Sequence, residues 1–204
     1  MTDSTAADLN ANCHAGKVDR AALLHALQRQ GEVWCRLVTE RCQHLFADVA
    51  VFVDAAQLQQ MRAVIAAVER VVALPGWHEE TTPGTAKGVF YGYDFHLNAQ
   101  GAHLIEINTN AGGAFLNALL IDSQRGAELM GAAVAGEELE QRFLAMFRNE
   151  WRLVRGIAPL ATVAIVDEQP ESQYLYPEFL LAQRMFERAG IAAPFDVTIT
   201  REEV

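Results

Sequence analysis

The chain has 204 residues, of which 51% are hydrophobic, and its formal net charge is −10. The apolar content excludes a disordered chain and predicts a globular one. The acidic balance argues against broad binding of nucleic acid or of anionic membranes, since both need basic patches. A nucleotide bound together with a divalent metal remains compatible with this charge, because the metal supplies the positive charge.

The N-terminal part is predicted to contain a flexible tail, two helices opened by aspartate caps, and a short strand between the helices. In chain order these are residues 1–18, Asp19 to about Phe46, Val49–Val53, and Ala55–Ala73 with Asp54 as its cap. Pro75 and Gly76 end the second helix.

Two strands, a glycine-rich turn and two helices are predicted next, and a β-α-β unit closes the chain. They are Gly88–Leu97, Ala102–Asn108, Asn110–Gly113, Ala114–Gln124 and Gly136–Arg155, followed by Ala161–Val166, Pro177–Ala189 and Phe195–Ile199. A β-α-β order predicts a parallel sheet with a right-handed crossover. We expect a partner chain or further C-terminal sequence to cover it, because a lone unit leaves strand edges unpaired.

The predicted fold class is therefore α/β, with an α+β half followed by the start of a parallel β-α-β unit. The predicted domains are the tail at 1–18, an α+β part at 19–156, and an incomplete β-α-β unit at 160–204.

Cysteine usage and the N-terminus predict a cytoplasmic protein. Cys13, Cys35 and Cys42 form no CxxC pair, which does not indicate a disulfide framework, and the latter two are expected in the core. The N-terminus has neither a basic start nor an apolar stretch, so no signal peptide is predicted. No apolar run approaches the ~18 residues of a membrane helix.

The two central strands are predicted to form a hairpin whose register follows from two constraints. Val89–Leu97 and Ala102–Asn108 each alternate, and their apolar faces must coincide, since a one-residue slip would bury charges. A three-residue loop at 99–101 satisfies this and places Gly101 where such loops favour a left-handed residue. In that register His103, Ile105 and Ile107 share the apolar face.

The predicted register places Asp94 opposite Glu106, and Gly92 opposite Asn108. Facing carboxylates repel each other at about 5 Å between Cβ atoms, and magnesium prefers oxygen ligands of this kind. Asp94, Glu106 and Asn108 are therefore candidate metal ligands. A polar, solvent-facing side of the hairpin explains the same pattern, and spacing alone leaves both interpretations open.

This segment resembles the magnesium-binding segment of ATP-grasp enzymes, over about 25 residues. The matching residues are Tyr93-Asp94-Phe95 and Leu104-Ile-Glu106-Ile-Asn108-Thr-Asn-Ala-Gly-Gly113. The order of the segments is similar to that of the circularly permuted type typified by glutathionylspermidine synthase. The chain departs from the family at Gly92, where an arginine is usual, and at Ala111, where a proline often stands.

Nucleotide-binding residues are predicted less specifically. Free N–H groups at the helix start after Asn110-Ala-Gly112-Gly113 attract phosphate or carboxylate, although the glycines also suit any tight turn. The family uses lysines on the phosphates, and this chain has only Lys17 and Lys87. Lys87 precedes the metal strand and is either a phosphate ligand or solvated.

The resemblance implies part of an ATP-dependent, peptide-type ligase that joins a small-molecule carboxylate and an amine through an acyl phosphate. It implies Mg²⁺ (or Mn²⁺) and ATP as cofactors, with residues 19–156 as an ATP-grasp-like metal- and nucleotide-binding part, and no nucleic acid or membrane partner is expected. No catalytic residue is assigned. We expect the chain alone to be inactive, with the lysine-bearing lid following Val204. The alternatives are a non-catalytic nucleotide- or metal-binding module and an interaction domain that lacks a lid.

Overall fold

The computed structural model describes residues 5–11, 17–78, 88–98, 100–124 and 136–194. These ranges combine helices with one antiparallel pair of strands, which confirms the general α/β or α+β class. In chain order the elements are α1 (Ala6–Ala11), α2 (Arg20–Arg29), α3 (Glu32–Arg36), α4 (Ala55–Val72), β1 (Gly92–Asn98), β2 (Gly101–Asn108), α5 (Ala114–Ser123), α6 (Gly136–Arg155) and α7 (Tyr176–Arg188). None of the described helices has the length and apolar composition needed to cross a membrane.

The chain divides into two compact units. The hairpin unit comprises Met1–Lys17 and Val49–Ala111, and the helical unit comprises Val18–Asp48 and Gly112–Val204. This division does not follow the boundaries expected from the sequence, which joined residues 19–156 and separated 160–204. The helical unit combines segments that are far apart in the chain, and such long-range packing leaves no local signal.

In the hairpin unit, α4 packs against the β1–β2 hairpin. Asp54 caps α4 as predicted, in a capping box with Gln57. The carboxamide of Gln60 accepts a hydrogen bond from the Ala102 backbone N–H at 2.8 Å, and the Tyr93 hydroxyl donates to Glu69 at 2.9 Å. The apolar side of the hairpin is thereby covered by α4, and Val49–Val53 contributes no strand but only a bridge at Val49.

Ala6–Ala11 form a helix within the stretch 1–18 that was expected to be a flexible tail. Thr5 and Asp8 cap α1 reciprocally, since the Asp8 carboxylate accepts from the Thr5 N–H at 3.0 Å and the Asp8 N–H donates to the Thr5 hydroxyl at 3.2 Å. Asn10 then bonds both backbone groups of Phe52 at 2.8 Å. This pairing with a distant segment holds a helix that its polar composition did not suggest.

In the helical unit, the helix expected from Asp19 to Phe46 is broken. Asp19 caps α2 as predicted, accepting from the Ala22 N–H at 2.9 Å. Gly31 interrupts the helix with a φ of 106°, a conformation that favours glycine. α3 then begins, and it continues into a π-helical turn at Leu37–Arg41.

The core of the helical unit is built by large side chains from α2, α3, α5, α6 and α7. Trp34 is fully buried, and its indole N–H donates to the Pro177 carbonyl at 3.2 Å. Phe186 packs edge-to-face on Phe147, with ring centroids 4.9 Å apart. Cys35 and Cys42 are buried and free, as expected for core thiols, and burial raises the pKa of Cys42.

Of the expected β-α-β unit, the described residues show the helix and one parallel bridge. A parallel bridge joins Thr162 to Ala192, with Val163 donating to the Ala192 carbonyl at 2.8 Å, and α7 makes the crossover. The segment Ala161–Val166 therefore pairs in a parallel sense but does not form a full strand. The expected strand Phe195–Ile199 lies outside the described residues.

Candidate metal site on the hairpin

The hairpin register brings the predicted ligands together. Asp94 pairs with Glu106, and Gly92 pairs with Asn108. Residues that face each other across an antiparallel pair project on the same side of the sheet. The predicted juxtaposition of Asp94, Glu106 and Asn108 on one face is therefore confirmed as geometry, while their role as ligands remains a prediction.

The register towards the turn differs from the expectation. Phe95 pairs with Leu104, and Asn98 pairs with Gly101, because a bulge interrupts the ladder between Asp94 and Phe95 and leaves Ile105 unpaired. The loop is therefore shorter than the predicted one at 99–101. A bulge inserts one extra residue into one strand, which reverses the alternation beyond it.

The bulge changes which side chains share a face. Leu104 lies with Phe95 on the side covered by α4, whereas His103 moves to the exposed side, opposite His96. The prediction that His103 and Ile105 join Ile107 on the apolar face is wrong. Ile105 is 67% exposed, as expected for the extra residue of a bulge.

The exposed side of the hairpin, which we call the polar face, carries the carboxylates of Asp94 and Glu106 and the amide of Asn108. The Asn108 amide nitrogen donates to Asp94 Oδ2 at 3.3 Å. This contact leaves the Asn108 carbonyl oxygen and the second Asp94 oxygen available as ligands. Between Gly88 and Asn98, and from Gln100 to Ala111, the chain has no lysine or arginine, so a cation from outside would offset the repulsion of the two carboxylates.

Close contacts around Gly92 leave little room for a side chain at this position. A Cβ at this position would lie 3.0 Å from the Ala111 Cβ and 3.5 Å from the Asn108 Cβ. An arginine at position 92 would therefore require Ala111 to move, whereas its Cβ would lie at an ordinary contact distance from Asn108.

The donor set suits a hard divalent ion with several water or phosphate ligands. Within the described ranges no three His, Cys, Asp and Glu side chains gather as a metal-binding group. The polar face supplies two carboxylates and one amide oxygen at most, and magnesium commonly binds through one or two carboxylates while keeping several waters.

The start of α5, which the sequence proposed as a phosphate or carboxylate site, holds a carboxylate of the chain itself. Glu178 accepts hydrogen bonds from the backbone N–H of Phe115 at 3.0 Å and of Leu116 at 2.9 Å, and its side chain is only 6% exposed. Burial raises the pKa of Glu178, and the backbone N–H groups oppose that shift less strongly. Sequence reasoning missed Glu178, because no local pattern indicates that the first turn of α7 meets α5.

The remaining predicted nucleotide-binding residues are divided between the two units and the residues that the structure does not describe. Gly112 and Gly113 belong to the helical unit, where Gly113 is the N-cap of α5 with a φ of 91°. Asn110 is exposed in the turn after β2, in the hairpin unit. Lys87 lies outside the described residues.

A half-open cavity of about 290 Å³ lies beside α5 in the helical unit. Its lining is mostly apolar, and it contains the side chains of Leu45, Phe46, Leu116, Asn117, Leu120 and Leu175. Since none of the described residues that line it is charged, these residues offer nothing to offset the charge of a phosphate. The polar face is therefore the better candidate for a metal–nucleotide site.

Comparison of this chain with protein-family models, with curated proteins and with solved structures gives no match.

Proposed function

We propose that the polar face of the hairpin binds Mg²⁺ or Mn²⁺ through Asp94, Glu106 and Asn108. Through that metal ion it would bind the phosphates of a nucleoside triphosphate. The proposal is carried by one observation, the pairing of Asp94 with Glu106 on an exposed face whose described hairpin residues include no lysine or arginine. Oxygen donors in this number leave open positions on the metal for phosphate oxygens.

In the wider proposal, this chain is part of an ATP-dependent carboxylate–amine ligase. Its support is the resemblance of the hairpin sequence to ATP-grasp enzymes. A bound metal ion would neutralise the charge that develops on a transferred phosphoryl group. This chain's residues would hold that ion, and the Asn108–Asp94 hydrogen bond would orient the Asp94 carboxylate towards it.

A non-catalytic metal- or nucleotide-binding module is the second candidate. It is favoured by the small donor set and by the absence of lysine and arginine from the described hairpin. The sequence also raised a third possibility, an interaction domain with a solvated acidic hairpin. A register that separates Asp94 from Glu106 would favour it, but the observed register keeps the two residues paired.

Calorimetric titration with Mg²⁺ and Mn²⁺, with and without ATP, tests the proposal. We expect Glu106→Gln, which keeps the size of the side chain, to weaken metal binding by at least about tenfold, the low end of what even an outer-shell partner contributes. Glu187→Gln is the matched control, because Glu187 is an exposed glutamate of the helical unit.

The outcomes separate the candidates. Metal binding that ATP strengthens, and that Glu106→Gln removes, supports the nucleotide-binding proposal. Metal binding without coupling to ATP favours the metal-binding module. No binding by the unmodified chain overturns the site as proposed.

A further inference from the structure

A second pair of possible metal ligands lies on the polar face, next to the carboxylates. His96 pairs directly with His103, and both side chains are exposed. Side chains that face each other across an antiparallel pair have Cβ atoms about 4.5–5.5 Å apart. Two imidazole rings at that separation can reach one ion, since zinc–nitrogen bonds are about 2.0–2.1 Å long.

One ring nitrogen of His103 lies against the side chain of Asn98. Asn98 Oδ1 accepts from the Gln100 backbone N–H at 2.8 Å, which identifies this atom as the acceptor oxygen. The same oxygen lies 3.1 Å from His103 Nε2. The contact is satisfied when Nε2 donates, and Nδ1 is then the ring nitrogen left for a metal ion. A partner on one ring nitrogen orients the other for metal binding in just this manner.

The chemistry of this pair differs from that of the carboxylate pair beside it. Imidazole suits zinc, copper and nickel, whereas carboxylate, carbonyl and water oxygens suit magnesium and manganese. With two protein ligands, an ion held by the histidines retains open positions for water or for a substrate group.

We propose that His96 and His103 bind a borderline divalent cation, Zn²⁺ in the first instance, through His103 Nδ1 and a ring nitrogen of His96. Asn98 is a positioning residue for His103. The polar face then carries two adjacent sites of different preference, an oxygen site at Asp94 and Glu106 and a nitrogen site at the histidine pair. The second proposal does not rest on the first.

Competition titration of the full chain with Zn²⁺ and Ni²⁺, against a chromophoric chelator, tests this site. The titration uses a Cys13→Ser, His14→Ala background, because Cys13 and His14 are adjacent in the sequence and offer an unrelated pair of ligands. We expect His96→Ala and His103→Ala each to weaken Zn²⁺ and Ni²⁺ binding by tenfold or more. His25→Ala is the matched control, since His25 is exposed and contacts Arg29 rather than a second histidine.

The expected specificity distinguishes this site from the magnesium site. Glu106→Gln should leave Zn²⁺ binding within about threefold while it weakens Mg²⁺ binding, and His96→Ala should do the reverse. Zn²⁺ affinity that is unchanged in both histidine variants, or that falls more in Glu106→Gln, overturns the proposal.

Nitrogen-15 NMR of the imidazole rings gives a readout besides affinity. On addition of Zn²⁺ we expect the largest shift at Nδ1 of His103 and a shift at one nitrogen of His96. Shifts confined to His25 or His44 overturn the proposal, and so does binding through Nε2 of His103, which would require the Asn98 contact to break.

Discussion

Replacement of Glu178 by glutamine tests how the helical unit holds the start of α5. The carboxylate accepts from two buried backbone N–H groups, those of Phe115 and Leu116. Glutamine offers one acceptor oxygen and places a donor where the second oxygen was, so one N–H group loses its partner. An unsatisfied buried donor costs about 1–3 kcal/mol, and loss of the charge at a helix N-terminus adds about 0.3–1 kcal/mol.

Relief of charge burial offsets part of this loss. Burial raises the pKa of Glu178, which means that the ionised side chain is less favourable in the folded chain than in water. Below the pH window in which Glu178 ionises, the neutral carboxyl still offers two oxygens to the N–H groups, and there we expect Glu178→Gln to lower the free energy of unfolding by about 1–3 kcal/mol, the cost of one orphaned donor. Above that window the ionised side chain is itself disfavoured in the folded chain, so we expect a smaller loss.

The raised pKa of Glu178 determines how the free energy of unfolding changes with pH. The folded chain holds the Glu178 proton more tightly than the unfolded chain, so the free energy of unfolding falls as the pH rises from the unfolded pKa to the raised folded pKa. Below this window the stabilisation of the folded chain by Glu178 is fully present. Glu178→Gln removes this component, and the stability difference between the two proteins should shrink as the pH rises through the window.

Urea unfolding with amide hydrogen exchange measures both effects. In Glu178→Gln, the amides of Phe115 and Leu116 should exchange faster than in the unmodified chain. Glu187→Gln is the control, since Glu187 is exposed in the same helix, and it should change stability by less than about 0.5 kcal/mol. Equal unfolding free energies for the two variants, with slow exchange at both amides, would refute the reasoning.

Three further substitutions probe contacts that the structure identifies. Gly92→Ala brings a Cβ to 3.0 Å from that of Ala111, and we expect a loss of about 1 kcal/mol in urea unfolding, at the low end of overpacking costs. Asn10→Ala removes both bonds to the Phe52 backbone, so α1 should become susceptible to limited proteolysis while the hairpin stays intact. Trp34→Phe loses the indole bond to the Pro177 carbonyl and replaces a fully buried ring by a smaller one, so it should lower the unfolding free energy by about 1 kcal/mol or more, from the lost hydrogen bond and the cavity left behind.

Features set by local chemistry were predictable from the sequence. The caps at Asp19 and Asp54, and the bounds of α6 at Gly136–Arg155, follow from side-chain hydrogen bonding and apolar periodicity within a few residues. The pairing of Asp94 with Glu106 was predicted from alternation, which keeps charges off the covered face, together with a three-residue loop. The pairing is observed although the loop is shorter, because the bulge at Ile105 compensates for the difference.

Features set by distant contacts were not predictable in this way. α1 depends on Asn10 bonding to Phe52, and the start of α5 depends on Glu178, whose partners lie more than 60 residues away. Gly31 was visible in the sequence, but an isolated glycine within an apolar periodic pattern is often tolerated. Its φ of 106° is what makes it a break.

The bulge at Ile105 determines the chemistry of the polar face. If the register of the Asp94–Glu106 pair continued to the turn without a bulge, His103 would lie on the covered face with Ile107. If the register of the His96–His103 pair continued away from the turn without a bulge, Glu106 would lie opposite Tyr93 on that same covered face.

Only an inserted residue lets Ala102, Leu104 and Ile107 all lie on the side covered by α4. The same insertion places the acidic pair and the histidine pair together on the exposed side. Bulges occur preferentially next to functional sites, where they redirect side chains. The exposed position of Ile105, an apolar residue that gains little burial where it lies, is consistent with a hairpin shaped by the arrangement of its polar face rather than by packing alone.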